Sequence, residues 1–274
     1  MSDPAPVFRA TFLAAVAASP DVPLLFSGGV DSSTILAASL ELGRRPQLVT
    51  FTYGVNRLSE DAALAERMAA SFALPLRTVR VPREPEASLR DVRRVLAIIR
   101  RATKVHVQCS LPFLYLGDAV RELGHSDALM GMAADDLWGT GRRGSEVLQD
   151  EGEEAFRLFR AEKFFDEEQS DYSVMKVALS RGVTLHDPWR DGRVADVMLS
   201  LDSAQMHRPK TKHLALRAFP EFWRRGAWYR KNKSLQVVSG IRDAHDALLA
   251  HPINRSRHKG VLGLYGELLQ EVAR

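Results

Sequence analysis

Apolar residues cluster in short runs separated by stretches of helical periodicity. Residues 22–26 form an apolar segment that breaks into Ser27-Gly28-Gly29, and helical spacing follows over residues 31–42. Gly43 and Pro46 end that helix. Residues 47–53 have the β-branched and aromatic content of a second strand, and residues 76–81 alternate like a third. Between them Ser59 and Glu60 open a helix whose apolar positions Ala63, Leu64, Met68 and Phe72 share one face. Helices are also predicted over residues 6–18, 89–99 and 111–123. Residues 128–132 are wholly apolar, as expected of a strand buried on both faces. Such alternation predicts an α/β fold with a doubly wound parallel sheet, whose ligands sit beyond the carboxyl ends of the strands.

The pattern changes from Arg142 onward. An acidic helix is predicted over residues 146–168, the strands stop, and helices follow over residues 193–201, 212–219, 241–249 and 261–272. We therefore expect an α/β core over residues 1–142 and a mostly helical C-terminal lobe over residues 143–274 that completes the site.

Candidate chemistry concentrates in Leu25-Phe26-Ser27-Gly28-Gly29-Val30-Asp31-Ser32-Ser33. A strand that turns through small residues straight into a helix leaves bare N–H donors at the positive end of the helix dipole, a ready anion site. Gly28 and Gly29 allow close approach of a phosphate, the serines add hydroxyl donors, and Asp31 offers a carboxylate for a phosphate-bound Mg²⁺. No lysine follows the glycines, so this is not a Gly-x-x-x-x-Gly-Lys loop. A second group, Gly131-Met132-Ala133-Ala134-Asp135-Asp136, follows the buried run and suits a turn beside a nucleotide and a metal.

The first string resembles the pyrophosphate loop of the N-type ATP pyrophosphatases. The ordered set of weaker matches, over residues 24–241, resembles the synthetase domain of asparagine synthetase and its β-lactam and carbapenam synthetase relatives. The resemblance implies an adenine nucleotide alpha hydrolase-like fold and an AMP- and pyrophosphate-forming amide ligase. Its cofactors would be ATP and Mg²⁺. It implies that the end of the second strand, at Phe51, Thr52 and Tyr53, contacts the adenine, that Met130 and Gly131 also bind the nucleotide, and that Asp31 and Asp135 share Mg²⁺ on the pyrophosphate. Lys212 and Lys233 would meet phosphate, with Lys231 the other choice in the second segment.

Two departures stand out. Met132 and Thr184 replace the pair that takes a proton from the amine in the β-lactam branch, and neither can act as a base. His186 is one substitute, although a packed histidine explains it as well. With the loop starting at residue 27, we expect no glutaminase domain. The nitrogen would come as ammonia or an amine, or from a separate amidotransferase or biosynthetic partner. Two other functions fit the same loop: adenylation of a nucleobase or deazapurine in nucleic-acid modification, or nucleotide binding without catalysis.

Composition changes little. A net charge of +4 with dispersed basic residues permits a nucleic-acid partner without arguing for one. The single cysteine, Cys109, rules out an internal disulfide and fits a reducing cytoplasm. Nothing reaches membrane-spanning length.

Overall fold

The computed structural model describes residues 3–54, 57–166, 170–230 and 235–274. Five strands, Leu24–Leu25 (β1), Leu48–Tyr53 (β2), Leu76–Val81 (β3), Asp127–Leu129 (β4) and Thr184–His186 (β5), form one sheet in the order β3-β2-β1-β4-β5. Every pairing is parallel. Chain order leaves β1 toward β2 and β3 on one side, then returns to β4 and β5 on the other. The reversal falls between β1 and β4, and there the carboxyl ends of the strands open a crevice.

Helices cover both faces. Ala5–Ala18 (α1), Val30–Glu41 (α2) and Glu60–Ser71 (α3) pack on one face, Pro85–Ile99 (α4), Lys104–Ser110 (α5) and Phe113–Glu122 (α6) on the other. Each start has a local cause. The Ser59 hydroxyl accepts from the Ala62 N–H to cap α3, and Pro85 occupies the first turn of α4, where its missing donor costs nothing. Beyond β4 come Ala134–Trp138 (α7), Arg142–Phe165 (α8) and Ser170–Ser180 (α9). Gly192–Ser200 (α10), Ser203–His207 (α11), His213–Ala218 (α12) and Pro220–Arg224 (α13) then join the first face. Leu235–Val238 (α14), Ile241–Ala250 (α15) and Val261–Val272 (α16) end the described chain, with α15 and α16 packed on the second face.

The doubly wound parallel sheet agrees with the sequence. One expectation fails: strands do not stop at Arg142, because β5 pairs with β4 from Asp127–Thr184 to Leu129–His186. Three residues are too few to show a period of two, and the unpaired edge of β4 makes them a strand. The predicted helix over 111–123 begins at Phe113 and is preceded by the unforeseen α5. The acidic helix is broken at Gly152, whose φ is 89°.

The two cores differ in texture. The first is aromatic, with Trp189 against Phe8, Phe12 and Trp138, while the second is largely aliphatic. Arg160, with no exposed surface, crosses the first core. Its guanidinium donates to the carbonyls of Leu137, Met198 and Leu201 at 3.1, 2.9 and 2.7 Å. It therefore ties α7, which carries Asp135, to the α10–α11 corner. Among the described residues no helix is long and apolar enough to cross a membrane.

Candidate active site

Asp31 lies in the first turn of α2, just past the end of β1, and Asp135 lies in α7, just past the end of β4. Although 104 positions separate them, both reach one cation. The Lys212 ammonium donates to Asp31 Oδ2 at 2.6 Å and to Asp135 Oδ1 at 2.6 Å. The lysine side chain is 2% exposed, the Asp31 side chain 18% and that of Asp135 57%, so the triad opens to solvent on the Asp135 side.

The neighbours fix each member. Trp138 Nε1 donates to Asp31 Oδ1 at 2.9 Å, and Thr140 Oγ1 donates to Asp135 Oδ1 at 2.7 Å. Lys212 is at the N-cap of α12 in a left-handed conformation, φ 60°. Its own N–H donates to His207 Nδ1 at 3.0 Å, and His207 Nε2 donates to the Trp138 carbonyl at 2.9 Å. That bonding uses one ring nitrogen as acceptor and one as donor, so the imidazole is neutral. Burial also lowers its pKa. Asp187 Oδ2 accepts from the Ala133 N–H at 2.9 Å and pins the turn that delivers Asp135.

The charges respond to one another. Burial pushes the Asp31 carboxyl above its ordinary range, reinforced by Asp135 and opposed by Lys212. Burial works against the Lys212 ammonium, but the two carboxylates together raise its pKa, so it stays protonated at neutral pH.

The loop behind the triad is closed by its hydroxyls. Ser27 Oγ and Ser32 Oγ are 3.3 Å apart, and Ser27 Oγ accepts from the Gly29 N–H at 3.2 Å. Gly29, Val30, Asp31 and Ser32, at the opening of α2, line the crevice, where the first N–H groups of a helix have no partner within it. Gly28 serves a different end from the one predicted. Its φ is +72°, and a Cβ there would meet Leu64 Cγ at 2.9 Å, so it permits the turn and the approach of α3. Gly131 is a second close approach, with a built Cβ 3.1 Å from Ile35 Cδ1 and 3.4 Å from Ser32 N. It presses the end of β4 onto the first turn of α2.

A cavity of about 330 Å³ lies over these strand ends. Of the predicted nucleotide contacts, Leu25, Phe26, Ser27, Gly29, Val30, Asp31, Ser32, Phe51, Met130 and Gly131 line it, as do Asp135 and Lys212. Gly28, Ser33, Thr52 and Tyr53 do not. Ser33 and Tyr53 are buried. Thr52 points to the other side of its strand, where Oγ1 accepts from the Ser59 N–H at 2.9 Å. Lys231 and Lys233 lie outside the described residues. Thr184 is exposed at the start of β5, and His186 Nε2 is 2.8 Å from Asp127 Oδ1; neither lines the cavity. Trp138, Thr140 and His207 were not foreseen. The nearest signal was the placing of Trp138 one helical turn after Asp135.

The crevice lies at the switch point of a doubly wound parallel sheet, where α/β proteins hold their ligands, and two carboxylates and a buried lysine line it. The chain belongs to the asparagine synthase family, whose model matches residues 7–171 and so takes in both aspartates. No curated protein matches it. Membership supports an ATP-dependent synthetase function of the pyrophosphate-loop type, and the family uses ATP as substrate, generally with Mg²⁺.

Proposed function

We propose that the protein is an AMP-forming carbon–nitrogen ligase that adenylates a carboxylate for attack by ammonia or an amine. The observation that carries this reading is the meeting of Asp31 and Asp135 on Lys212 beside the Ser27–Ser33 turn. The base would lie over Phe26, Phe51 and Met130, and the β- and γ-phosphates at the opening turn of α2.

The donor set suits a phosphate-borne Mg²⁺. Among the described residues no group of three or more His, Cys, Asp or Glu is placed to hold a metal alone. Mg²⁺ is commonly held by one or two carboxylates, with phosphates and water filling its octahedron, and Asp31 and Asp135 supply those two. Bound there, the ion would screen the charge of the departing pyrophosphate. Lys212, charged and already anchored, stabilises the same growing charge without reorganising. Trp138 and Thr140 hold the carboxylates in place while this happens.

The chemistry is in-line displacement. A carboxylate oxygen of the substrate bonds to the α-phosphorus as the bond to the bridging oxygen of pyrophosphate breaks. The neutral nitrogen nucleophile then bonds to the acyl carbon as the bond from that carbon to the AMP oxygen breaks, and the proton released from nitrogen passes to the departing phosphate or to water. Met132 removes the family's proton acceptor from the cavity, which favours a nucleophile that arrives neutral, as ammonia or an amine, free or passed from a partner protein.

The test is ATP–pyrophosphate exchange in the presence of a carboxylate panel and no RNA. Carboxylate-dependent exchange is expected. Exchange that requires RNA, or conversion of ATP to ADP and orthophosphate, would overturn the reading.

A further inference from the structure

The cavity has two unlike sides. Its charged lining residues among those described are Asp31, Asp61, Asp135, Asp136, Lys212 and Arg230. Five of them are tied to an opposite charge: Lys212 bridges Asp31 and Asp135, and Arg230 is ion-paired with Asp61. The sixth, Asp136, follows Asp135 in α7. The opposite wall comes from α5 and α6. Val105, Cys109, Phe113 and Leu116 line it, and Met132 extends it toward the triad. Among the described residues, no charged side chain of α5 or α6 lines the cavity.

This wall stands close to the reacting end. Met132 is three residues from Asp135 in the same turn. The Cys109 thiol, buried on the wall, is pushed up to about 12 by burial and then by the negative charge of Asp135. It is neutral at physiological pH and behaves as a small apolar group. Phe113, Leu116 and Cys109 are buried, whereas Val105 is 47% exposed at the rim. An ammonium or a second carboxylate laid against this surface would lose water and gain no partner.

Resting on the ligase reading above, we propose that the acid activated here has an uncharged apolar body, aliphatic or aromatic. Its tail would lie against Val105, Cys109, Phe113, Leu116 and Met132, with its carboxylate toward the triad. The site would thereby reject amino-dicarboxylates, whose charged head has no counterpart on that wall.

Acyl-adenylate mimics test this without turnover. Calorimetry on the full chain would compare hexanoyl- and aspartyl-sulfamoyl adenosine, with AMP as reference, in the wild type and in Val105→Lys. The rim position allows that substitution to fold, and thermal melting checks it. Expected are hexanoyl binding at least tenfold tighter than aspartyl, a fivefold or greater loss of hexanoyl affinity in Val105→Lys, and unchanged AMP affinity. Equal or tighter aspartyl binding would overturn the proposal and leave the ligase reading intact. An equal loss for AMP and the hexanoyl mimic in the variant would show that the wall holds the base, and would also overturn it. AMP binding with no gain from either acyl group would remove the ligase reading together with the proposal.

Discussion

Lys212 Nζ stands 2.6 Å from Asp31 Oδ2 and 2.6 Å from Asp135 Oδ1, so one buried ammonium joins the ends of two strands that lie on either side of the sheet's reversal. The strand ends carry like charges that would repel at this range. The lysine makes their proximity stable. Chain on both sides of residue 142 is required: two carboxylates come from before it and the cation from after it.

Lys212→Met should leave the two carboxylates facing each other. The expected cost is about 2–4 kcal/mol, below the full value for a broken buried pair because Asp135 is open to water. Urea unfolding measures it. Pyrophosphate release should fall by at least about a hundredfold in the same variant. Near-normal release would detach the lysine from catalysis.

Arg160→Met should destabilise by about 3–5 kcal/mol, since three backbone carbonyls lose a buried charged donor. Because one of them belongs to Leu137, ATP affinity should weaken as well. Urea midpoints and nucleotide titration together check both effects.

His245 gives the fold a pH dependence. The residue is buried between α5 and α16, its Nδ1 accepting from Tyr265 OH and 3.2 Å from Gln108 Nε2, while its Nε2 has no partner among the described residues. Burial lowers its pKa to about 4. The unfolded chain takes up a proton near pH 6.5, the ordinary histidine value, and the native protein only near 4. Stability from this group is therefore complete above about 6.5 and declines as pH falls toward 4. Between pH 7 and pH 5 it should drop by about 2 kcal/mol, and His245→Gln should flatten that slope. Denaturant melts at the two pH values decide it.

Gly28→Ala should disturb the loop without touching its hydroxyls. The positive φ and the contact with Leu64 predict a loss of about 1–3 kcal/mol and a retreat of α3 from the turn. Leu64→Ala in the same chain should restore part of the stability. An unaffected single variant would contradict the role assigned to the glycine.

Much of this site could be read beforehand because its signals are local. Small residues after an apolar run mark a strand-to-helix corner by themselves, and Asp31 stands within it. Asp135 follows a run too apolar to be anything but buried. The sequence points to the end of β2 as a whole, and of Phe51, Thr52 and Tyr53 only Phe51 lines the cavity. What stayed hidden depends on distant contacts. The Leu64 side chain above Gly28, the Trp138–Asp31 bond and the His207 bridge between Lys212 and Trp138 each join residues far apart in sequence. Residues 184–186 become a strand only because β4 has a free edge. Lys212 was visible as the residue opening a helix, but its place between two carboxylates was not.

The central claim is that Asp31 and Asp135 bind Mg²⁺ on ATP. Calorimetric titration of ATP, with and without Mg²⁺, in the wild type and in the Asp31→Asn, Asp135→Asn double variant tests it most directly. Asparagine keeps an acceptor for Trp138 and for Thr140 but leaves the buried Lys212 without its counter-charges. Thermal melting therefore first checks that the double variant is folded, and the solvent-open single variant Asp135→Asn is titrated beside it. Mg²⁺ should tighten ATP binding to the wild type at least tenfold and leave binding to the double variant unchanged. An equal Mg²⁺ enhancement in both proteins would contradict the account.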